Sequence, residues 1–349
     1  MNVRSLHLGK AISAALFVLL LSVAGTKNAL AQNQVVTLQQ GDIITAYYGP
    51  GAFVEAYNAA TDGSIITLSG GSFTGCNIDK SYLTIRGAGP VADTEVGTVP
   101  TQITGNIYIG YNWYDTDIYI EGIYFPGTTN YGKLVTPTFV RCNFTYLPYV
   151  DWSTMTGAQF INCVIKDIRG SRATNTTFVN CVIDYFLYFE EGHNYVLYNC
   201  QVTKGCGNGY AGVTAWNSII AMKTGSTPGA SCNFYNCIGI TNINGYNMFG
   251  SATTQNCTIY YPSDSPNQDP YELIYESYRG GDFNFEEAYL LLDSIATGFQ
   301  TTDGTEVGIH GGQVPYTARP SYQMLRTLNV PQQSDTQGKL NVEIEIINQ

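Results

Sequence analysis

One short pattern recurs along the middle of the chain and limits what it can become. Phe160-Ile-Asn162-Cys163-Val-Ile165 is followed by Phe178-Val-Asn180-Cys181-Val-Ile183 and Leu197-Tyr-Asn199-Cys200-Gln-Val202. Ala215-Trp-Asn217-Ser218-Ile-Ile220, Phe234-Tyr-Asn236-Cys237 and Thr254-Gln-Asn256-Cys257-Thr-Ile259 continue it, and Phe139-Val-Arg141-Cys142-Asn-Phe144 precedes it. The Cys-type position falls at 142, 163, 181, 200, 218, 237 and 257, in steps of 18 to 21 residues. A period this short marks a solenoid, whose units bury their apolar faces only by stacking on one another.

Spacing within the unit fixes its local geometry. Cys163 and Ile165 are two apart and share one face of a strand. Phe160 and Cys163 are three apart, which strict alternation forbids if both are buried. One residue must turn the chain between them, and Asn162 is the residue type that tolerates the left-handed conformation of such a bend. Each coil therefore has a strand ending in Phe, a bend at Asn and a second strand starting at Cys. Stacking predicts one amide-to-amide ladder of Asn162, Asn180, Asn199, Asn217, Asn236 and Asn256. It also predicts an inner column of Cys142, Cys163, Cys181, Cys200, Cys237 and Cys257 acting as small apolar filler.

Upstream the frame continues with Gly at or near the bend, in Ile120-Glu-Gly122-Ile123 and, more loosely, around Gly70, Gly87 and Gly105. That gives about eleven coils and a length of ~50 Å at ~4.8 Å per stacked strand. Helical repeats fail as an alternative, because no coil keeps three- and four-residue apolar spacing over ten or more residues. The F-x-N-C-x-I coils resemble the repeats of right-handed parallel β-helix, pectin-lyase-like proteins. The run 52–60 followed by 62–68 resembles the capping helix and first strand of that family. Thr302-Asp-Gly-Thr-Glu-Val-Gly-Ile-His-Gly-Gly312 resembles a tail common in secreted β-helix proteins of Bacteroidota. The resemblance spans about residues 50 to 312. It implies an all-β, right-handed parallel β-helix with an N-terminal capping helix and a C-terminal extension. It is poor in functional content, because this fold hosts lyases, hydrolases, isomerases and adhesins.

The ends read differently from the middle. Arg4, His7 and Lys10, then the apolar run from Ala11 to Gly25, then Ala29-Leu30-Ala31, read as a signal peptide over 1–31. The β-helix with its cap is expected over 32–262, and a C-terminal cap with terminal strands over 263–349. A helix is expected over 286–295, and strands over 322–331 and 339–347, the last alternating in Leu340, Val342, Ile344 and Ile346. An exported location follows: periplasm, outer surface or secreted. No later segment is apolar enough to span a bilayer.

After such cleavage the chain carries 13 basic and 27 acidic residues, a formal charge of −14. That excludes nucleic acid and anionic membrane surfaces as natural partners. Against it, Lys166, Arg169, Arg172, Lys204 and Lys223 gather within about 60 residues. Tyr185 and Tyr188 lie near them and offer flat faces to sugars. The strip points to an extended acidic polysaccharide as partner, with oligomerisation open. Such long cations also decorate turns simply for solubility.

Signatures of catalysis are missing. The pectate lyase and polygalacturonase motifs that the resemblance invites are absent, so a polysaccharide lyase or glycoside hydrolase stands as the alternative to a binding protein. Glu190, Glu191 and His193 form the densest ionisable cluster, but adjacent carboxylates on a strand point to opposite faces. No Cys or Cys/His spacing suits a metal, and no cofactor is expected; Asp264, Asp269 and Glu272 are the only candidates for Ca²⁺. Cys206 and Cys232 lie off the repeat and are the disulfide candidates. Two outward columns, Val140/Ile161/Val179/Tyr198/Trp216/Tyr235 and Val164/Val182/Ile219/Ile238, are too apolar to be left bare. The chain's own tail after residue 262 is the expected cover, with the strand 339–347 as the favoured element and a second subunit or a ligand as the alternative.

Overall fold

The computed structural model describes residues 34–93, 98–111, 115–169, 173–187, 192–205, 212–221, 228–243, 245–261, 269–278, 280–319, 324–329 and 343–347. The expected signal peptide lies outside them.

The chain is a parallel β-solenoid. A 12-stranded sheet carries the strand before each bend, and a 13-stranded sheet carries the strand after it. Phe139, Phe160, Phe178, Leu197, Ala215 and Phe234 stand directly above one another. The rings of Phe139, Phe160 and Phe178 stack at 5.0 Å between centroids. All of these side chains are buried, and burying each large one is worth roughly 1.5–3 kcal/mol. All six repeat Asn residues turn the chain with φ of 50° to 55°, and Arg141 does the same at 50°. The residue type at the bend is thus a direct answer to left-handed backbone.

Beside the bend, the thiols do more than fill space. The Sγ of Cys163, Cys181 and Cys200 donates to the carbonyl of Phe139, Phe160 and Phe178, one coil earlier, at 3.2 to 3.4 Å. Where Ser218 replaces Cys, its hydroxyl donates to Trp216 O at 2.8 Å and accepts from Cys200 N at 3.0 Å. Cys232 is buried, and Cys206 lies outside the described residues.

The coil count is smaller than the sequence frame predicts. Ten parallel strands in the first sheet, from Ile65–Leu68 to Thr253–Gln255, make about nine turns. The surplus coil is the one read at Gly105. Thr101–Thr104 pairs with Gly71–Thr74 in the second sheet, so Ile103 is an inward residue of another face, not a further bend.

At the N-terminal end, α1 (Ala52–Ala59) lays Phe53, Ala56 and Tyr57 onto the first coil, as its apolar spacing predicts. Lys80 Nζ donates to the carbonyls of Tyr57, Asn58 and Ala60 at 2.7 to 2.9 Å. It thereby answers both the unpaired carbonyls and the negative dipole at the end of that helix. An antiparallel pair, Val35–Gln40 with Ile43–Tyr48, adds to the edge of the first sheet ahead of the helix.

The C-terminal segment folds back along the second sheet. Ile274, Tyr275, Tyr278, Tyr289, Leu291, Ile295, Val307 and Ile309 bury the outward column of Val164, Val182, Ile219 and Ile238. Among the described residues the cover is therefore built from 274–309, which corrects the assignment to the strand 339–347. That strand is found at Glu343–Ile347, paired antiparallel with Met324–Asn329 in a separate two-stranded sheet. The helix expected at 286–295 is also displaced: α2 spans Asp293–Gly298. Before it, Tyr289 takes a φ of 51° and Leu291 bridges Tyr275, which pulls 286–292 out of helical geometry. No helix among the described residues is long and apolar enough to cross a membrane.

Candidate functional site

Of the cations singled out by sequence, Lys166 and Arg169 lie on the second-sheet strand Val164–Arg169, and Lys204 follows the strand Gln201–Val202. Strand Val164–Arg169 pairs in parallel with Val182–Leu187, setting Asp167 beside Tyr185. Lys166 is exposed and Arg169 half-buried. The guanidinium of Arg169 lies 5.1 Å from the centre of the Tyr146 ring, one coil back. The ammonium of Lys204 lies 5.5 Å from the Tyr185 ring, one coil on. Each cation is thus held over an aromatic face, an arrangement worth about 0.5–1 kcal/mol at an exposed site.

Two carboxylates share the strip. Asp184 is fully buried, accepting from Thr203 Oγ1 at 2.5 Å and pairing with Lys204 Nζ at 3.2 Å. A buried carboxylate needs such partners, so much of the Lys204 charge is spent on Asp184. Asp167 is half-buried, and its carboxyl is pushed above the usual carboxylate range, first by burial and then by the nearby charge of Asp184, against the pull of Arg169 and Lys166. The shift is toward the neutral form of Asp167, beside the exposed Lys166.

The cover frames one side of this strip. Tyr271 OH donates to Thr203 O, and Tyr275 OH to the buried Gln201 Oε1. Sequence reasoning missed this polar anchorage, because Gln201 and Thr203 look like ordinary coil residues until a partner 70 residues away meets them. The other anchorage falls on the bend residues. Asn180 Nδ2 donates to Ile309 O and Gly311 O, each at 2.8 Å, and Gly308 N donates to Asn217 O at 2.9 Å. The expectation of one continuous amide ladder is corrected accordingly. Of the six, Asn217, Asn236 and Asn256 bond amide to amide among the described residues, at 3.2 and 2.8 Å. The Asn162 amide is buried with no hydrogen-bond partner among the described residues.

The remaining candidates fall outside the strip. Arg172, Lys223, Tyr188, Glu190, Glu191 and Asp264 lie outside the described residues. His193 pairs through Nδ1 with Tyr195 OH at 3.0 Å. Asp269 caps the 3₁₀ turn Pro270–Leu273 by accepting from Tyr271 N at 3.0 Å, which occupies it structurally. No group of three His, Cys, Asp or Glu residues suited to a metal occurs among the described residues. No protein family, curated protein or solved structure matches this chain. What the structure supports is the parallel β-solenoid itself.

Proposed function

We propose that this is an exported, secreted or surface-associated β-helix protein of the pectin-lyase-like kind, which holds an extended acidic polysaccharide along the strip of Lys166, Arg169 and Lys204. What carries the reading is the occurrence of one arrangement twice, two coils apart: Arg169 over Tyr146 and Lys204 over Tyr185, with exposed Lys166 on the same strand as Arg169. A polymer with anionic groups at regular intervals suits a surface that repeats at a multiple of the strand spacing. The test is binding of the chain from residue 32 onward to polygalacturonate or alginate, followed calorimetrically. Replacing Lys166 and Arg169 together by Ala weakens affinity by about tenfold, and added salt weakens the parent protein. Unchanged affinity for every uronate polymer in the double variant refutes the assignment.

One observation favours a second reading, a polysaccharide lyase or glycoside hydrolase. Asp167 is a half-buried carboxyl with its acidity reduced, beside a second carboxylate and two cations, the environment in which acid–base catalysts are found. The same polymers discriminate. Appearance of unsaturated or reducing ends, lost in Asp167→Asn, supports catalysis; binding without new ends supports the binding protein.

A further inference from the structure

Past Val140, which is buried, the first sheet carries an outward column that the cover at 274–309 leaves open among the described residues. Ile161, Val179, Trp216 and Tyr235 are only half-buried, and Tyr198 is 42% exposed. Their partners in register place Tyr198, Trp216 and Tyr235 on three successive coils. The Trp216 and Tyr235 rings stack at 4.0 Å with 18° between planes, which fixes both and leaves little side-chain freedom to lose when something binds. A second column runs beside the first, through Thr177, Val196, Thr214 and Asn233, with Asn233 Nδ2 donating to Thr214 Oγ1 at 3.4 Å.

Charge separates this surface from the strip on the second sheet. From Gln159 to Gln255, the outward positions of six successive first-sheet strands include no Asp, Glu, Lys or Arg. The same face of the early coils is different: there Glu121 is buried between Arg86 and Arg141 and bonded by Tyr119 OH. An anionic polymer finds no counter-charge on the later coils. A neutral one finds aromatic rings and, alongside them, hydroxyl and amide groups at the spacing of the coils.

We propose that the outward column Tyr198–Trp216–Tyr235 is a second glycan site, which takes a neutral, extended polysaccharide whose sugar rings present flat apolar faces. Rings supply stacking area for the sugar faces, and Thr214 and Asn233 supply donors and acceptors for sugar hydroxyls. A one-dimensional surface of repeated chemistry fits a polymer better than the varied surface of a folded protein. The assignment does not depend on the acidic site, which lies on the other sheet.

The test uses the chain from residue 32 onward, depleted from solution by insoluble cellulose, chitin and xylan and followed by residual absorbance. The expected result is retention on at least one of these that persists in 0.5 M salt as electrostatic binding does not (about three times the ionic strength of physiological buffer). Trp216→Thr with Tyr235→Thr weakens it on the order of tenfold or more, and Trp216→Phe largely preserves it. Circular dichroism and a urea melt of the double variant confirm that the solenoid remains. Lys166→Ala with Arg169→Ala leaves neutral-glycan retention intact, so failure here and failure of the acidic site are read separately. No retention of the parent protein on any of the three polymers overturns the proposal, as does retention unchanged in the double Thr variant. Sedimentation as a dimer that becomes a monomer in that variant overturns it as well, since the column is then an interface between two copies.

Discussion

Two apolar columns run along the outside of the same coils and meet opposite fates. Val164, Val182, Ile219 and Ile238 on the second sheet disappear beneath the C-terminal segment. Ile161, Val179, Tyr198 and Trp216 on the first sheet stay at the surface. Hydrophobicity does not separate them, because both exceed what a soluble surface ordinarily shows. Polar groups do. The segment 269–312 is held by Asn180, Gln201 and Thr203 and by the carbonyl of Asn217, all at the bend or on the second sheet. None of these anchors comes from the first sheet's outer face, although Thr214 and Asn233 carry polar groups there. The hydrophobic effect is non-directional; hydrogen bonds to buried partners decide which face the segment follows.

Removing the cover altogether gives the largest expected effect. A chain ending at residue 262 exposes the second-sheet column and should bind several-fold more of a hydrophobic dye and aggregate, whereas one ending at 319 keeps the cover and should match the parent protein. Equal dye binding by the 262 and 319 truncations would show that 269–316 protects nothing.

A milder break is alkaline. Burial raises the phenols of Tyr271, Tyr275, Tyr278 and Tyr289 above their ordinary value, in each case as the main cause. Phenols neutral in the fold but ionised when released favour release as pH climbs past about 10, the unfolded value. The contribution of the cover is therefore complete below that pH and is lost as pH rises toward the folded values. Tyrosine absorbance and dye binding followed from pH 8 to 12 should rise together, with the solenoid's circular dichroism lagging behind. A dye signal flat to pH 12 would count against the tyrosine cluster as the seat of the docking.

The finest test compares two bend residues of the same type. Asn180→Ala removes two hydrogen bonds to buried carbonyls of the cover and should cost about 1–3 kcal/mol. Asn256→Ala, at the exposed end of the amide ladder, should cost only the left-handed backbone penalty that both positions share, about 1 kcal/mol, with the Asn180 loss added on top of it. Urea melts of the two variants measure the difference. Equal costs would mean that the bend, and not the cover, is what both side chains serve.

Much of the scaffold was legible because it is written locally and repeated. The three-residue step from Phe160 to Cys163 requires a bend, and Asn162 is a residue that can make one; seven copies of the step give the solenoid. The frame misplaced Gly105 because Gly is ambiguous where Asn is not: Ile103-Thr-Gly105 satisfies the same spacing yet belongs to the second sheet. The candidate strip was legible as a cluster of Lys166, Arg169 and Lys204. Its chemistry was not, since neither the burial of Asp184 nor its capture of Lys204 can be seen from spacing.

What the sequence by itself determined is therefore the periodic part: left-handed bends at Asn, the inner columns of Phe and Cys, the capping helix over 52–59 and the apolarity of the two outer columns. These follow from backbone conformation and side-chain alternation, which act between neighbours in the chain or between identical positions one coil apart. Tertiary structure alone decided which outer column is covered, why Asn180 serves the cover while Asn236 serves the ladder, and where the second sheet's carboxylates meet its cations. Those outcomes depend on pairs such as Tyr275 with Gln201 and Asn180 with Gly311, 74 and 131 residues apart. No local preference encodes them, because each partner is satisfied equally well by water until the chain folds back.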